Sequence, residues 1–436
     1  MKLFGTSGIR GIYGKEVTEE LVYKIASIFG EETLVVGRDT RESGLKLFEA
    51  LSQTGKKIID LGVVPTPTLA FATVKYECVG IMITASHNPP EYNGLKLFLE
   101  GGEISREKEA EIEQQYALTK IKKETNQTKI TKDEQIIEEH KNMIKKLIDV
   151  EKIKQKKFKV VIDCNGAAYS LTPYLLMELG CKVISVNAEK SGFNRPSEPN
   201  KQNLKHLETI VKATNADIGF AHDGDGDRVV VIDETGEMLP LDVQLAIMIE
   251  HEISTSKNKK IVSTVEASLL IRETIEKNGG EPIITRVSSV DICHIMKEDK
   301  INFGGEPCGE YIFGNATYTP DGPLAVAKFL EILSKKGKLS KIKKAYKSYP
   351  ILRDKFKCID NNEKMKNIIE KIKQKKIQGK ITTIDGLRVD EKDGWFLIRA
   401  SGTEPIIRLT AEYKNKEKLD KRTDELKKII VSEIDE

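Results

Sequence analysis

Hydrophobic and polar positions along the chain change rhythm in a regular order. Amphipathic stretches with a period of about 3.6 residues alternate with short β-branched runs. From residue 17 onward, Leu34 to Gly37, Lys57 to Asp60 and Gly80 to Thr84 read as strands separated by helical segments. Alternation of this kind predicts βαβ units and a mainly parallel sheet, with ligand sites at the carboxyl ends of strands. A second unit is predicted after the Lys-rich segment 151 to 157. It has a strand Phe158 to Asp163, a loop at Asn165-Gly166, a helix and a strand Lys182 to Val186. A third begins near Pro240, with a helix over Val243 to Glu252 and a strand over Lys260 to Thr264. After Tyr349-Pro350 the texture changes. Strands at Lys355 to Ile359, Lys380 to Ile384, Trp395 to Arg399 and Ile406 to Glu412 precede one long terminal helix, the pattern of a smaller α+β unit. The expected division is 1–150, 151–240, 241–350 and 351–436, the first three units being related α/β folds.

Length supports several units, since 436 residues exceed what one hydrophobic core serves. Hydrophobic residues make up 39% and charged residues 31%, a globular balance with a heavily charged surface. No stretch approaches the roughly 18 apolar residues that cross a bilayer. Met1-Lys2-Leu3-Phe4 runs directly into the polar turn Gly5-Thr6-Ser7-Gly8, so a cytoplasmic protein without a membrane partner is expected. Net charge is +3, and the Lys-rich stretches alternate with acids and lack interleaved aromatics, which argues for solvated surface and against nucleic acid. The six cysteines are scattered, with neither a C-x-x-C pair nor zinc-type spacing, as expected of a reducing compartment.

The sharpest chemical feature is Asp223-Gly224-Asp225-Gly226-Asp227-Arg228, between predicted strands Ala216 to Ala221 and Val229 to Asp233. Three carboxylates at alternate positions of a glycine-rich loop can converge on a hard cation such as Mg²⁺, and without one they repel. An EF-hand also begins D-x-D-x-D, but its glycine position holds Arg228 and β-like runs flank the loop. An aspartate-based phosphatase carries D-x-D-x-[TV], and here Asp227 stands in the last place. That enzyme class, and a metal-binding module without catalysis, are the alternatives.

Thr84-Ala85-Ser86-His87-Asn88-Pro89-Pro90 follows the apolar run Gly80 to Ile83 and places a serine, with a histidine beside it, at a strand end ahead of a rigid turn. No G-x-S-x-G elbow surrounds Ser86, which excludes the serine-hydrolase arrangement. Downstream, Tyr92-Asn93-Gly94-Leu95-Lys96 can return a lysine to the same strand end as proton donor or acceptor. Arg399-Ala400-Ser401-Gly402-Thr403-Glu404-Pro405 offers a guanidinium, hydroxyls and backbone N–H groups for a phosphate. The segment Phe303 to Glu310 carries carboxylates that can accept from sugar hydroxyls, and Phe4 to Gly11 adds Arg10.

In order, FGTSGIRG, TASHNPPEYNGLK, DGDGDR, GGEPCGE and RASGTEP resemble the motifs of the α-D-phosphohexomutase family over residues 4 to 408. The resemblance implies four domains around a central cleft, three related α/β domains with mixed, largely parallel sheets and a smaller α+β domain. It implies that Ser86 carries a phosphoryl group and binds Mg²⁺ together with Asp223, Asp225 and Asp227. Lys96 looks like the general acid/base, with His87, Arg10 and Arg228 around the transferring group. Glu306 and Cys308 stand where the family reads sugar hydroxyls, and Arg399, Ser401, Gly402 and Thr403 match its loop for the phosphate that does not react. The implied reaction moves phosphate between the 6- and 1-positions of a hexose phosphate, with a hexose 1,6-bisphosphate as activator, in a monomer or homodimer. Gly402 is similar to the glucosamine branch, since glucose and mannose enzymes more often carry Asn there. Ser7, Cys308 and Glu310 depart from that branch's usual Asp, Ser and His, and an acidic Glu310 offers either a partner for a substrate ammonium or a charge on the rim of the site.

Overall fold

The computed structural model describes residues 2–30, 32–120, 128–375, 377–401 and 405–435. Its strands form four sheets, each from a consecutive stretch of chain. The first holds β1 (Ile9–Ile12), β2 (Leu34–Arg38), β3 (Lys57–Val63), β4 (Val79–Ile83), β5 (Tyr92–Leu99), β6 (Gly102–Glu103) and β7 (Lys129–Lys132), in the order β1-β5-β4-β2-β3-β7 with β6 beside β5. The second contains β8 (Lys159–Asp163), β9 (Lys182–Val186), β10 (Ile218–His222) and β11 (Val229–Asp233), ordered β11-β10-β8-β9. The third has β12 (Lys260–Thr264), β13 (Glu281–Thr285), β14 (Phe303–Glu306) and β15 (Glu310–Phe313), ordered β13-β12-β14-β15. The last is built from β16 (Ile351–Lys357), β17 (Lys380–Thr382), β18 (Leu387–Glu391), β19 (Gly394–Ala400) and β20 (Ile406–Tyr413), ordered β16-β20-β19-β18-β17.

The first three sheets share one plan. Parallel strands β4, β2, β3 and β7, then β10, β8 and β9, then β13, β12 and β14, are continued at one edge by an antiparallel hairpin partner: β5, β11 and β15. The central parallel strands are largely apolar because both of their faces are covered, as β4 (Val-Gly-Ile-Met-Ile) and β10 (Ile-Gly-Phe-Ala-His) show, all five residues of each being buried, whereas the edge strand β7 is exposed along its length. The turn between the last parallel strand and its antiparallel partner therefore opens at a strand's carboxyl end, and these three turns carry residues 84–91, 223–228 and 307–309. The last sheet is antiparallel throughout, and its β19–β20 hairpin carries residues 401–405.

One hydrophobic cluster runs through the second and third units, where Phe220, Tyr311 and Phe329 meet beneath helices Leu241–Thr255 and Gly322–Lys336. A smaller one joins Val265 of the third unit to Trp395 and Leu397 of the last. There Arg388 lies over the indole ring at 4.0 Å, and Glu412 accepts both Trp395 Nε1–H and Leu269 N–H at 2.7 Å. All six cysteines are free thiols. No helix among the described residues is long and apolar enough to cross a membrane.

Candidate active site

The serine loop is set by its hairpin. β5 pairs antiparallel with β4 in the register Met82↔Lys96 and Ile83↔Leu95, so the Lys96 side chain returns beside the strand end that Ser86 leaves. Ser86 holds a left-handed backbone at φ +50°, uncommon for a residue with a Cβ and of the kind found where structure over-determines a functional site. Its hydroxyl donates to Asp223 Oδ2 at 2.7 Å and lies 3.3 Å from His87 Nδ1. Serine and aspartate, 137 positions apart, thus meet across two sheets.

The aspartate loop is held just as closely. Asp223 Oδ1 accepts the backbone N–H of Arg228 at 3.1 Å, and Asp225 Oδ2 accepts from Thr66 Oγ1 at 2.6 Å. The Lys96 ammonium sits between Asp225 and Asp227, 2.9 and 2.6 Å from their Oδ2 atoms. The loops touch through backbone, and a Cβ on Gly224 would lie 2.6 Å from Ser86 O and 2.7 Å from Ser197 Oγ, which only glycine permits.

Burial makes charge the organising force here. Burial and the neighbouring carboxylates hold Asp223 well above the ordinary aspartate range, and burial with the Asp225 charge lifts Asp227 to about 6. Asp225 goes the other way, because Lys96 and the Thr66 hydroxyl outweigh its burial. Lys96 is itself raised, its burial overcome by Asp225 and Asp227, so it stays an ammonium. His87 is held far below the usual imidazole range by the Arg228 charge, by burial and by Arg10, and remains neutral.

A divalent cation fits this arrangement. One oxygen from each of the three aspartates lies within 4.8 Å of the others. Asp225 Oδ1 and Asp227 Oδ1 are buried without a hydrogen-bond partner among the described residues. An all-oxygen set with two orphaned carboxylate oxygens beside a hydroxyl suits a small hard ion such as Mg²⁺.

Arg228 links this cluster to the third unit, its Nη2 lying 2.8 Å from Glu310 Oε1 and its Nε unpartnered. Glu310, open in sequence to a substrate ammonium or to a place on the rim, is buried and has this cationic neighbour. Glu306 and Cys308 are beside it, the thiol donating to Glu306 Oε2 at 3.9 Å while Glu306 Oε1 has no hydrogen-bond partner among the described residues. Burial and the Glu310 charge push the Glu306 carboxyl well above its ordinary range. Arg10 reaches the serine loop, its Nη1 donating to Asn88 Oδ1 at 3.3 Å. In the last hairpin Arg399 Nε donates to Glu266 at 3.0 Å, and Ser401 is buried with its carbonyl accepting from Asn361. Gly402 and Thr403 lie outside the described residues. Arg399 lines a cavity of about 380 Å³ with Arg106, Arg286, Ser288 and the N-terminal loop at Gly5-Thr6.

Several residues at the site escaped the motif reading. Thr66 and Ser197 reach the two loops from elsewhere in the chain. Glu103 accepts the Ser7 hydroxyl at 2.9 and 3.0 Å, and burial raises its carboxyl in a field that includes Lys96 and Arg10. Arg41 contacts the serine loop from a turn after β2. Isolated polar residues outside glycine-rich segments give no local signal.

Family models place the chain among known proteins. They describe α/β/α domains I, II and III and the C-terminal domain of phosphoglucomutase/phosphomannomutase, and match residues 1–125, 138–236, 241–349 and 354–429. The chain belongs to the phosphoglucomutase/phosphomannomutase family. It is 41% identical over 425 residues to a probable phosphoglucosamine mutase of Methanosarcina barkeri, covering 94% of this chain and 95% of that protein. A phosphoglucomutase/phosphomannomutase of Thermococcus kodakarensis is 39% identical, with 96% of each covered. A family member of Burkholderia thailandensis superposes with a TM-score of 0.83 at 26% identity, over 99% of this chain and 97% of that one.

Proposed function

We propose that the protein interconverts glucosamine 6-phosphate and glucosamine 1-phosphate through a phosphorylated Ser86 and a bisphosphorylated sugar, with four units divided near residues 150, 240 and 350. The observation that carries this is the Ser86 hydroxyl, 2.7 Å from a buried aspartate whose two companions are bridged by Lys96. Phosphoryl transfer needs charge neutralisation and alignment more than covalent chemistry, and the site is rich in both.

Asp223, Asp225, Asp227 and the Ser86 oxygen would hold Mg²⁺, which when bound supplies positive charge to the phosphate oxygens. The chain's own groups supply the remainder. Arg10 and Arg228 flank the serine with fixed positive charge, and Lys96, kept protonated, donates to the Ser86 oxygen as the phosphoryl group leaves it. His87, kept neutral, can accept a hydrogen bond from the attacking sugar hydroxyl, whose proton replaces the one that Lys96 gives up. The bond from phosphorus to Ser86 breaks as the bond to the sugar oxygen forms, giving a bisphosphorylated sugar that turns over and returns its other phosphate. Arg399, Ser401, Gly402 and Thr403 would hold whichever phosphate is not reacting, and Glu306, Cys308 and Glu310 would face the sugar.

The glucosamine assignment is favoured by the methanogen relatives named as probable phosphoglucosamine mutases. The Thermococcus relative favours a second reading, a phosphoglucomutase/phosphomannomutase. An aspartate nucleophile is disfavoured because Asp227 stands where that phosphatase pattern carries Thr or Val. The test is intact-mass analysis with an assay of glucosamine, glucose and mannose phosphates primed by a hexose 1,6-bisphosphate. Phosphate on the Ser86 peptide, no turnover in Ser86→Ala and glucosamine phosphate as the best substrate are expected. Phosphate on Asp223 overturns the mechanism, and glucosamine phosphate as the poorest substrate overturns the sugar assignment alone.

A further inference from the structure

Arg41 is fully buried one turn beyond β2, near the serine loop but without a part in the chemistry described so far. A guanidinium carries five N–H donors in a rigid planar fork. Here all five are used. Nε donates to Asp39 Oδ2 at 2.9 Å, Nη1 to Pro89 O and to Tyr92 O at 2.8 Å, and Nη2 to Ser86 O and Asn88 O, both at 2.8 Å. Three carbonyls of the serine loop and one from the first residue of β5 therefore converge on one side chain. The carboxylate that orients it, Asp39, also accepts the Thr84 hydroxyl at 2.6 Å, and Thr84 Oγ1 in turn accepts the Ser86 N–H at 2.8 Å. Ser86 is gripped at both ends of its peptide by one Asp39–Arg41 pair, at the residue whose backbone lies in the left-handed region.

The same turn reaches the second unit. The Arg41 guanidinium lies over the Phe193 ring at 4.9 Å. Thr40 exchanges two hydrogen bonds with Gly192, whose N–H donates to Thr40 O at 2.8 Å and whose carbonyl accepts Thr40 Oγ1 at 3.0 Å. A few residues on, Ser197 Oγ donates to Ser86 O at 2.9 Å, so this carbonyl is shared by groups from both units. Arg195, held by Asp163 at 2.8 Å, donates to the carbonyl of His222 at 2.6 Å, immediately before Asp223. Segment 192–197 thus touches the serine loop at one end and the root of the aspartate loop at the other.

We propose that Arg41 is a positioning residue: it fixes the strained Ser86 peptide, and through Phe193 and segment 192–197 it aligns the serine hydroxyl with Asp223. Asp39 orients the fork and Thr40 pins it to the second unit. A lysine would keep the charge but lose the planar five-bond pattern, leaving most of the four carbonyls unheld. Displacement of a reacting oxygen by about 1 Å is enough to cost about a hundredfold in rate. Buried and with all five donors engaged, Arg41 has none left for a substrate, so binding should not change.

The proposal rests on Ser86 as phosphoryl carrier, and the experiment separates the two. Arg41→Lys, Phe193→Leu and Ser86→Ala are each measured for kcat, sugar-phosphate KM, Mg²⁺ affinity and thermal midpoint. Arg41→Lys should lower kcat by about a hundredfold while KM and Mg²⁺ affinity move by less than about threefold. Phe193→Leu, which keeps the fork and removes only its aromatic seat, should lower kcat by about fivefold with KM unchanged. Arg41→Lys at full kcat, or a loss carried by KM, overturns the positioning role. If Arg41→Lys does not fold, Phe193→Leu decides, and an unaltered kcat there is the overturning result. Turnover by Ser86→Ala would remove the phosphoserine reading itself, whereas an inactive Ser86→Ala beside a fully active Arg41→Lys removes only this inference.

Discussion

Two crowded acidic groups face one another across Arg228 and behave differently. Asp223, Asp225 and Asp227 bring three oxygens within 4.8 Å, and the atoms of Glu306, Cys308 and Glu310 are equally close. In the first group an ammonium lies between two carboxylates, so Asp225 remains ionised and two oxygens stay unpartnered for a cation. In the second the nearest cation, Arg228, pairs with Glu310 and leaves Glu306 to burial and repulsion, which favour its protonated form. A protonated carboxyl donates as well as accepts, which suits recognition of a hydroxyl. The number of acids in a cluster does not decide its chemistry; the position of the fixed positive charge does.

Substitutions can break that comparison. Asp225→Asn removes the one firmly ionised carboxylate, and about a thousandfold loss of kcat with loss of Mg²⁺ binding by calorimetry is expected. Equal Mg²⁺ affinity in this variant would erase the distinction between the clusters. Glu306→Gln keeps a donor and an acceptor in the second cluster, so kcat/KM should fall about tenfold while Mg²⁺ titrations stay unchanged. Cys308→Ser preserves a weak donor of similar size and should change kcat/KM by less than about threefold.

Glu412 sharpens the comparison as an acid buried outside both clusters. Burial lifts its carboxyl from 4.5 to about 6 against the donors Leu269 N–H and Trp395 Nε1–H. The folded protein then holds this proton more tightly than the unfolded chain, so its contribution to stability is complete below pH 4.5 and declines as pH rises toward 6. Glu412→Gln should flatten that part of the curve of denaturation midpoint against pH, measured by circular dichroism.

Sequence patterning reveals the central parallel strands because burial on both faces leaves uninterrupted apolar runs: Leu34 to Gly37, Gly80 to Ile83 and Lys260 to Thr264 lie in strands in the structure. Edge strands carry less of that signal. β16 alternates half-buried and exposed residues and begins at Ile351 rather than Lys355, and β17 stops at Thr382. In the sequence β5 shows only as the path by which Lys96 returns, although the strand runs from Tyr92 to Leu99. At the site, loops dense in glycine and charge announced Ser86 and the three aspartates. The fork at Arg41, Thr66 on Asp225 and Glu103 beneath Ser7 depend on partners brought together by folding, which no local spacing encodes. The Glu310–Arg228 pair belongs to the same class, because an isolated β-bridge between two hairpins creates it.

Trp395 is the chain's single tryptophan, and it is fully buried where the last unit meets the third, between Arg388 and the Glu412 carboxyl. Its fluorescence therefore comes from one place, the seam that would slide if the last unit swung to admit or release a ligand. Opening that seam would bring water to the indole, shifting its emission to longer wavelength without any label. The chain carries its own optical gauge of how the final unit is seated, readable during turnover.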